Sequence, residues 1–223
     1  MFKFLIFLIG IGAFIVSSVL MIARTFMAGV LQPGSRRWDA LIARLRAQVQ
    51  HHRSALVPWD GADMMPLLSM VKLEQKGGWW SEQLNTGTLT TIYQEPVAAI
   101  AQARTGKEMV TLATTSNSEY VFRHKGKEVE IWLNGQPFGV FTGGALLASG
   151  KQSRLLAQIE PVSEPALQLP VLIGKGTALM LTNPDRPAGT PYPRAVTLLR
   201  NLQPEEEASA LALAILYQVR KGQ

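Results

Sequence analysis

The hydrophobic positions of this chain follow three successive patterns. From Phe4 to Ala23 there are 20 residues without a charge. At about 1.5 Å per residue a helix of that length reaches roughly 30 Å, the hydrocarbon thickness of a bilayer, which predicts a transmembrane helix. Pro33-Gly34 then breaks the chain and Ser35 is placed as an N-cap. Beyond it Trp38, Leu41, Ile42, Leu45 and Val49 recur at helical spacing. This stripe predicts an amphipathic helix ending near His51-His52-Arg53.

Past Val57-Pro58-Trp59-Asp60-Gly61 the period becomes that of strands. Met64 to Val71 is apolar and reads as a short helix or a first strand, with Lys76-Gly77-Gly78 as a break and Trp79-Trp80 as an anchor of the core or its rim. Strands are expected over 87–93, 97–103, 109–115 and 119–124. Val129, Ile131 and Leu133 alternate with Glu128, Glu130 and Trp132, so one face of that strand is buried. Asn134-Gly135 closes it, and Phe138 to Phe141 returns. A type I′ turn needs positive φ at both central residues, which makes this the clearest hairpin signal in the chain. Later strands are expected over 155–159, 171–173, 177–181 and 195–199, and the four prolines between Asn183 and Pro193 mark a loop. Short strands at this spacing predict a barrel or a sandwich.

The C-terminus departs from the strand period. Pro204 suits the first helical position, and Glu205, Glu206 and Glu207 complement the dipole of a helix start. Ala210 to Leu216 has no hydrophilic face. A helix apolar all round is buried on all sides, yet this one is too short to span a bilayer. The fold class expected is therefore mainly β: an antiparallel β barrel, or a sandwich, with a buried hydrophobic C-terminal helix. Its divisions are a transmembrane anchor over 1–34, a basic amphipathic juxtamembrane helix over 35–57 and a β-rich domain over 58–223.

Two other readings of the N-terminus compete with a span. A cleaved leader has an apolar region of about 7–15 residues and a small-x-small cleavage site. Here the run is longer, Met21-Ile22-Ala23 has a bulky residue at the third position back, and Arg24 follows at once. A core helix seldom runs this long without a polar face. A retained single span is the reading preferred.

Charge then sharpens the picture. The formal net charge is +6. Up to Val57 there are seven Lys/Arg and one acid, and from Pro58 onward 15 basic and 15 acidic residues balance. The excess belongs to the anchor and the helix after it, so no nucleic-acid partner is expected: such a domain needs a basic surface of its own. Because the basic residues follow the span, the C-terminal domain is expected in the cytoplasm, at the inner membrane of a bacterium. The alternative is a periplasmic domain tethered by the same span; the absence of cysteine favours the cytoplasm only weakly. Arg36, Arg37, Arg44, Arg46 and Arg53 are the candidate contacts to the membrane surface, each basic residue contributing about 1 kcal/mol near anionic lipid. The other reading of this helix is a spacer whose apolar stripe packs on the domain.

The hairpin from Gly126 to Gly139, GKEVEIWLNGQPFG, and the apolar helix Glu205 to Tyr217 together resemble the tubby C-terminal-like superfamily, which includes phospholipid scramblases and LURP-one-related proteins. The resemblance covers Pro58 to Gly222. It implies a β barrel threaded by a hydrophobic helix, and a membrane-proximal binding module rather than an enzyme. Tubby itself binds phosphoinositide head groups through basic residues on its barrel, and those residues do not map onto this sequence; separately, Arg123, Lys125 and Lys127 cluster on one hairpin as candidate contacts to anionic head groups. The competing reading is a solvated turn balanced by Glu128 and Glu130.

Catalytic and metal constellations are thin. No cysteine is present, and of the three histidines His51 and His52 lie in the juxtamembrane helix and His124 among strand residues. There is no Gly-x-Ser-x-Gly elbow. Gly174-Lys175-Gly176-Thr177 lacks the earlier glycine of a phosphate loop, and Asp60 and Asp63 lack the further ligands of a calcium loop. No cofactor or metal is expected. The leading function is a membrane-anchored, non-catalytic binding or scaffold protein, with the bilayer, anionic lipid head groups or a protein as partner. The alternatives are a lipid-binding or lipid-handling protein and a membrane-tethered hydrolase collecting acids such as Glu95, Glu119 or Asp185.

Overall fold

A computed structural model describes residues 31–69, 71–76, 84–106, 108–150, 153–162, 166–184 and 193–220. The expected span over 4–23, the Trp79-Trp80 anchor and Asp185 lie outside these residues. Among the described residues no helix is long and apolar enough to cross a membrane. The chain divides into two compact units at Leu41/Ile42. In the first, Gly34 takes φ 81° and the Ser35 hydroxyl accepts the Trp38 amide at 3.2 Å, which is the expected N-cap of helix α1 (Arg36–Arg53).

The second unit opens with the rest of α1, a single turn α2 (Gly61–Met64) and a 3₁₀ turn at Met65–Leu67. Twelve strands follow: β1 (Lys72–Lys76), β2 (Leu84–Thr90), β3 (Pro96–Thr105), β4 (Glu108–Thr114), β5 (Glu119–Lys125), β6 (Glu128–Leu133), β7 (Gln136–Thr142), β8 (Ala145–Ala148), β9 (Leu155–Ile159), β10 (Gln168–Ile173), β11 (Gly176–Thr182) and β12 (Val196–Leu198). Each pairs antiparallel with its neighbours in chain order, giving one meandering sheet. Asn134 and Gly135 take φ 51° and 78° between β6 and β7, as the hairpin signal requires.

Helix α3 (Pro204–Arg220) is the centre of the unit. Residues 209 to 216 are all buried, and Ala210–Leu216 join one core with Ile100, Phe122, Ile131, Leu179 and other residues of the sheet's inner face. A flat sheet covers only one side of a helix, so the sheet curls around this one. Each fully buried Leu or Ile contributes roughly 1.5–3 kcal/mol, which explains why a helix without a polar face is stable here.

The expectation of a barrel needs one correction: the sheet is not closed. Among the described residues no ladder joins β1 to β12. Ahead of β1, Leu68 bridges Thr91 and Ser69 bridges Arg194. The closing segment enters from a 3₁₀ turn, so it offers single bridges where a ladder would need several paired residues. The described strands form one continuous hydrogen-bonded sheet.

The sheet also carries a buried outer face. Ala99, Ala101, Ala103, Val110, Leu112 and Val121 are buried but stand outside the inner core, as do Ile42, Leu45 and Val49 of α1. Arg46 of α1 binds Glu119 of β5 through three contacts of 2.7–3.2 Å. After the helix, the Val57 amide bonds Pro96 O and the Trp59 amide bonds Ser116 Oγ. These ties set residues 42–53 over the outer face, where alanines on β3 leave room for a helix.

Candidate functional site

The five candidate arginines of α1 are all exposed, but they are not equivalent. Arg46 holds Glu119 in a bidentate pair, which raises its pKa, and so is committed within the domain. Of the apolar stripe, Ile42, Leu45 and Val49 are buried in the second unit and are not available to sink into a leaflet. Arg36, Arg37, Arg44 and Arg53 are, like Arg46, exposed.

The hairpin candidates separate in the same way. Lys125 and Lys127 are exposed, but Arg123 is only 4% exposed. It donates to both oxygens of Glu108 at 2.9 and 3.2 Å and to Glu130 at 3.1 Å. Burial by itself would lower the guanidinium pKa; the hydrogen bonds and charges of Glu108, then Glu130, outweigh it and raise the value. The expectation of a head-group contact at Arg123 is thus corrected: it is a buried structural cation. The register explains this. Arg123 lies opposite Glu130 on β6 and Val110 on β4, with Glu108 two residues along the same face.

A cluster of polar groups surrounds the start of α3. The Gln203 carbonyl accepts from the amides of Glu206 and Glu207, and Glu206 reaches back to the Gln203 amide at 2.9 Å, the reciprocal bond of a capping box. Arg200 grips both oxygens of Glu206 at 2.7 Å and also donates to Ile173 O, tying the helix start to the end of β10. Those hydrogen bonds from Arg200 lower the Glu206 pKa, against the opposing effect of burial. Glu207 lies against Gly61, where an added Cβ would come within 2.5 Å of its carboxylate. Burial, and secondly the Glu207 charge, push the Tyr120 phenol up, so its hydroxyl, 3.5 Å from Ala208 O, stays protonated.

Glu205 is different: it is exposed and lines a cavity of about 260 Å³ beside the helix start. Arg154 and Leu155 at the head of β9, Ile173 and Gly174 at the β10–β11 turn, and Ser209 of α3 also line it. The sequence reading assigned all three glutamates to the helix dipole and missed this cavity. Its walls come from segments some 50 residues apart, and no local spacing announces it.

His124 is half-buried on β5, and Asp60 and Asp63 flank α2. Among the described residues no three His, Cys, Asp or Glu side chains gather as metal ligands. The fold and these sites define a mainly β unit with a single curled antiparallel sheet around an apolar helix, preceded by a basic helix. No protein-family model, curated protein or solved structure matches the chain.

Proposed function

We propose that this chain is a membrane-anchored, non-catalytic binding or scaffold protein, built on the tubby-like plan and held by its N-terminal apolar run with the β-rich domain in the cytoplasm. The observation that carries this reading is the burial of residues 209–216 of α3: the protein's own helix fills the space inside the sheet, leaving the exposed rim and turns for contacts. The exposed Arg36, Arg37, Arg44 and Arg53 favour a membrane-facing placement, at about 1 kcal/mol each beside anionic lipid. The buried and doubly paired Arg123 speaks against the lipid-handling alternative through that hairpin.

Two experiments test it. The chain has no cysteine, so Lys127→Cys provides one exposed thiol. It should react with a membrane-impermeant maleimide only after the cells are opened. Labelling of intact spheroplasts would place the domain on the other side. Crosslinking of the full chain in its native membrane should capture a protein partner, and none above background would count against a scaffold.

A further inference from the structure

We propose that Asn134 is a modification site: its side chain closes on the Gly135 amide to a cyclic imide, which water opens to aspartate and isoaspartate, and this conversion loosens the hold of β5 on α1. The first observation is chemical. Asn134 is the only asparagine of the chain that precedes a glycine. Glycine carries no side chain to shield its amide nitrogen, and no atom beyond its chain neighbours lies within 4 Å of where a Cβ of Gly135 would stand. Both residues are exposed, and none of the described hydrogen bonds occupies the Gly135 amide. The attacking nitrogen is therefore open, and so is access for the water that completes the reaction.

The reaction needs only water. Gly135 N loses its proton to solvent and bonds to Asn134 Cγ, and the side-chain nitrogen leaves as ammonia. Water then adds to either imide carbonyl. Attack at Cγ gives aspartate in an unaltered main chain; attack at the other carbonyl gives isoaspartate, whose main chain runs through Cγ and is longer by a methylene. A two-residue turn with φ of 51° and 78° has no place for that extra carbon. The second observation ties the turn to α1. The Asn134 amide donates to Glu119 O at 2.8 Å, and Asn134 Oδ1 accepts from the Glu119 amide, also at 2.8 Å. Glu119 in turn grips Arg46 of α1 through its carboxylate. Before attack the carboxamide must turn away from Glu119, so the fold restrains the reaction by about 2–10-fold, the weight of one hydrogen bond. Isoaspartate takes Oδ1 into the main chain and breaks this pair of bonds, which frees the strand end that presents Glu119 to Arg46. The site does not depend on the scaffold reading above.

Incubation of the full chain in nonionic detergent at mildly alkaline pH, where the attacking amide loses its proton more readily, tests both halves of the proposal. Peptide mapping by mass spectrometry should find Asn134 converting faster than Asn117, the exposed asparagine before Ser118, with isoaspartate accumulating at position 134. Unfolding in urea should speed the conversion at Asn134 by at least about 2–10-fold, as the restraining bond is lost. In the fraction carrying isoaspartate, hydrogen exchange over residues 42–53 should be about 1.5–5-fold faster, the weight of one partly exposed ion pair. Asn134→Gly keeps a residue suited to positive φ and removes the reactive carboxamide, so its exchange over 42–53 should not change with incubation. Arg46→Gln lacks the ion pair from the start, and incubation should leave its exchange over 42–53 unaltered as well. Conversion at Asn134 no faster than at Asn117 overturns the site. Conversion with unchanged exchange over 42–53, or with the same change in Arg46→Gln, overturns the link to α1.

Discussion

Replacing Arg123 by methionine removes the guanidinium but keeps most of the side chain's apolar stem. It leaves Glu108, whose side chain is 12% exposed, facing Glu130, at 31%, with no cation between them. Three charge-assisted hydrogen bonds are lost, each contributing about 1.5–3 kcal/mol, and breaking a fully buried pair costs about 3–5 kcal/mol. Glu130 can recover much of its hydration and Glu108 some, so a loss of about 2–4 kcal/mol is expected. In a chain of this size that corresponds to a fall in Tm of about 4–16 °C. Urea unfolding of the full chain in detergent, followed by tryptophan fluorescence, measures the loss. The double variant Arg123→Met, Glu108→Leu should recover part of it, because an apolar replacement of a buried pair is often neutral. A change below about 0.5 kcal/mol for Arg123→Met, the level of an ordinary surface substitution, would refute the burial argument. It would return Arg123 to the role of a surface cation, and vesicle binding by the same variant would then be the measurement of interest.

Three further outcomes are expected. Leu45 is 0% exposed, so Leu45→Ala should cost about 2–5 kcal/mol, while Arg44→Gln should change stability by less than about 0.5; equal unfolding midpoints would mean that α1 does not pack on the sheet. The Glu206 pKa is lowered on folding from its ordinary 4.5, so its stabilisation is present above that pH and is lost as pH falls through the lowered value. Thermal melts between pH 3 and 7 should therefore show a steeper acid loss for the native chain than for Glu206→Gln, and parallel curves would contradict the clamp. Gly135 takes φ 78° in the β6–β7 turn, so Gly135→Ala should destabilise by about 1 kcal/mol or more, read from the urea midpoint.

Much of the architecture was legible along the chain. Alternating Val129, Ile131 and Leu133 followed by Asn134-Gly135 specify β6 and its turn, because side-chain alternation and positive φ are local properties. The apolar run 210–216 specified a helix buried on every side before any partner was known. Two strands escaped notice: β1, KLEQK, has only one apolar residue, and β8, ALLA, is four residues with no alternation. Both are held by neighbouring ladders rather than by their own pattern.

What only tertiary structure decided concerns charge and closure. Arg123, Lys125 and Lys127 read alike in sequence, but the register of β4, β5 and β6 places two carboxylates against the first and leaves the others exposed. The stripe of α1 reads the same for a membrane or a protein surface, and only the tertiary structure shows Ile42, Leu45 and Val49 buried. Whether the sheet closes depends on how Leu68 and Ser69 meet Thr91 and Arg194, residues distant in sequence from one another. The sequence by itself determined the elements and the uneven distribution of charge, because these arise from neighbouring residues. The open edge, the buried arginine and the cavity at the start of α3 arise from contacts between distant segments, which no local pattern encodes.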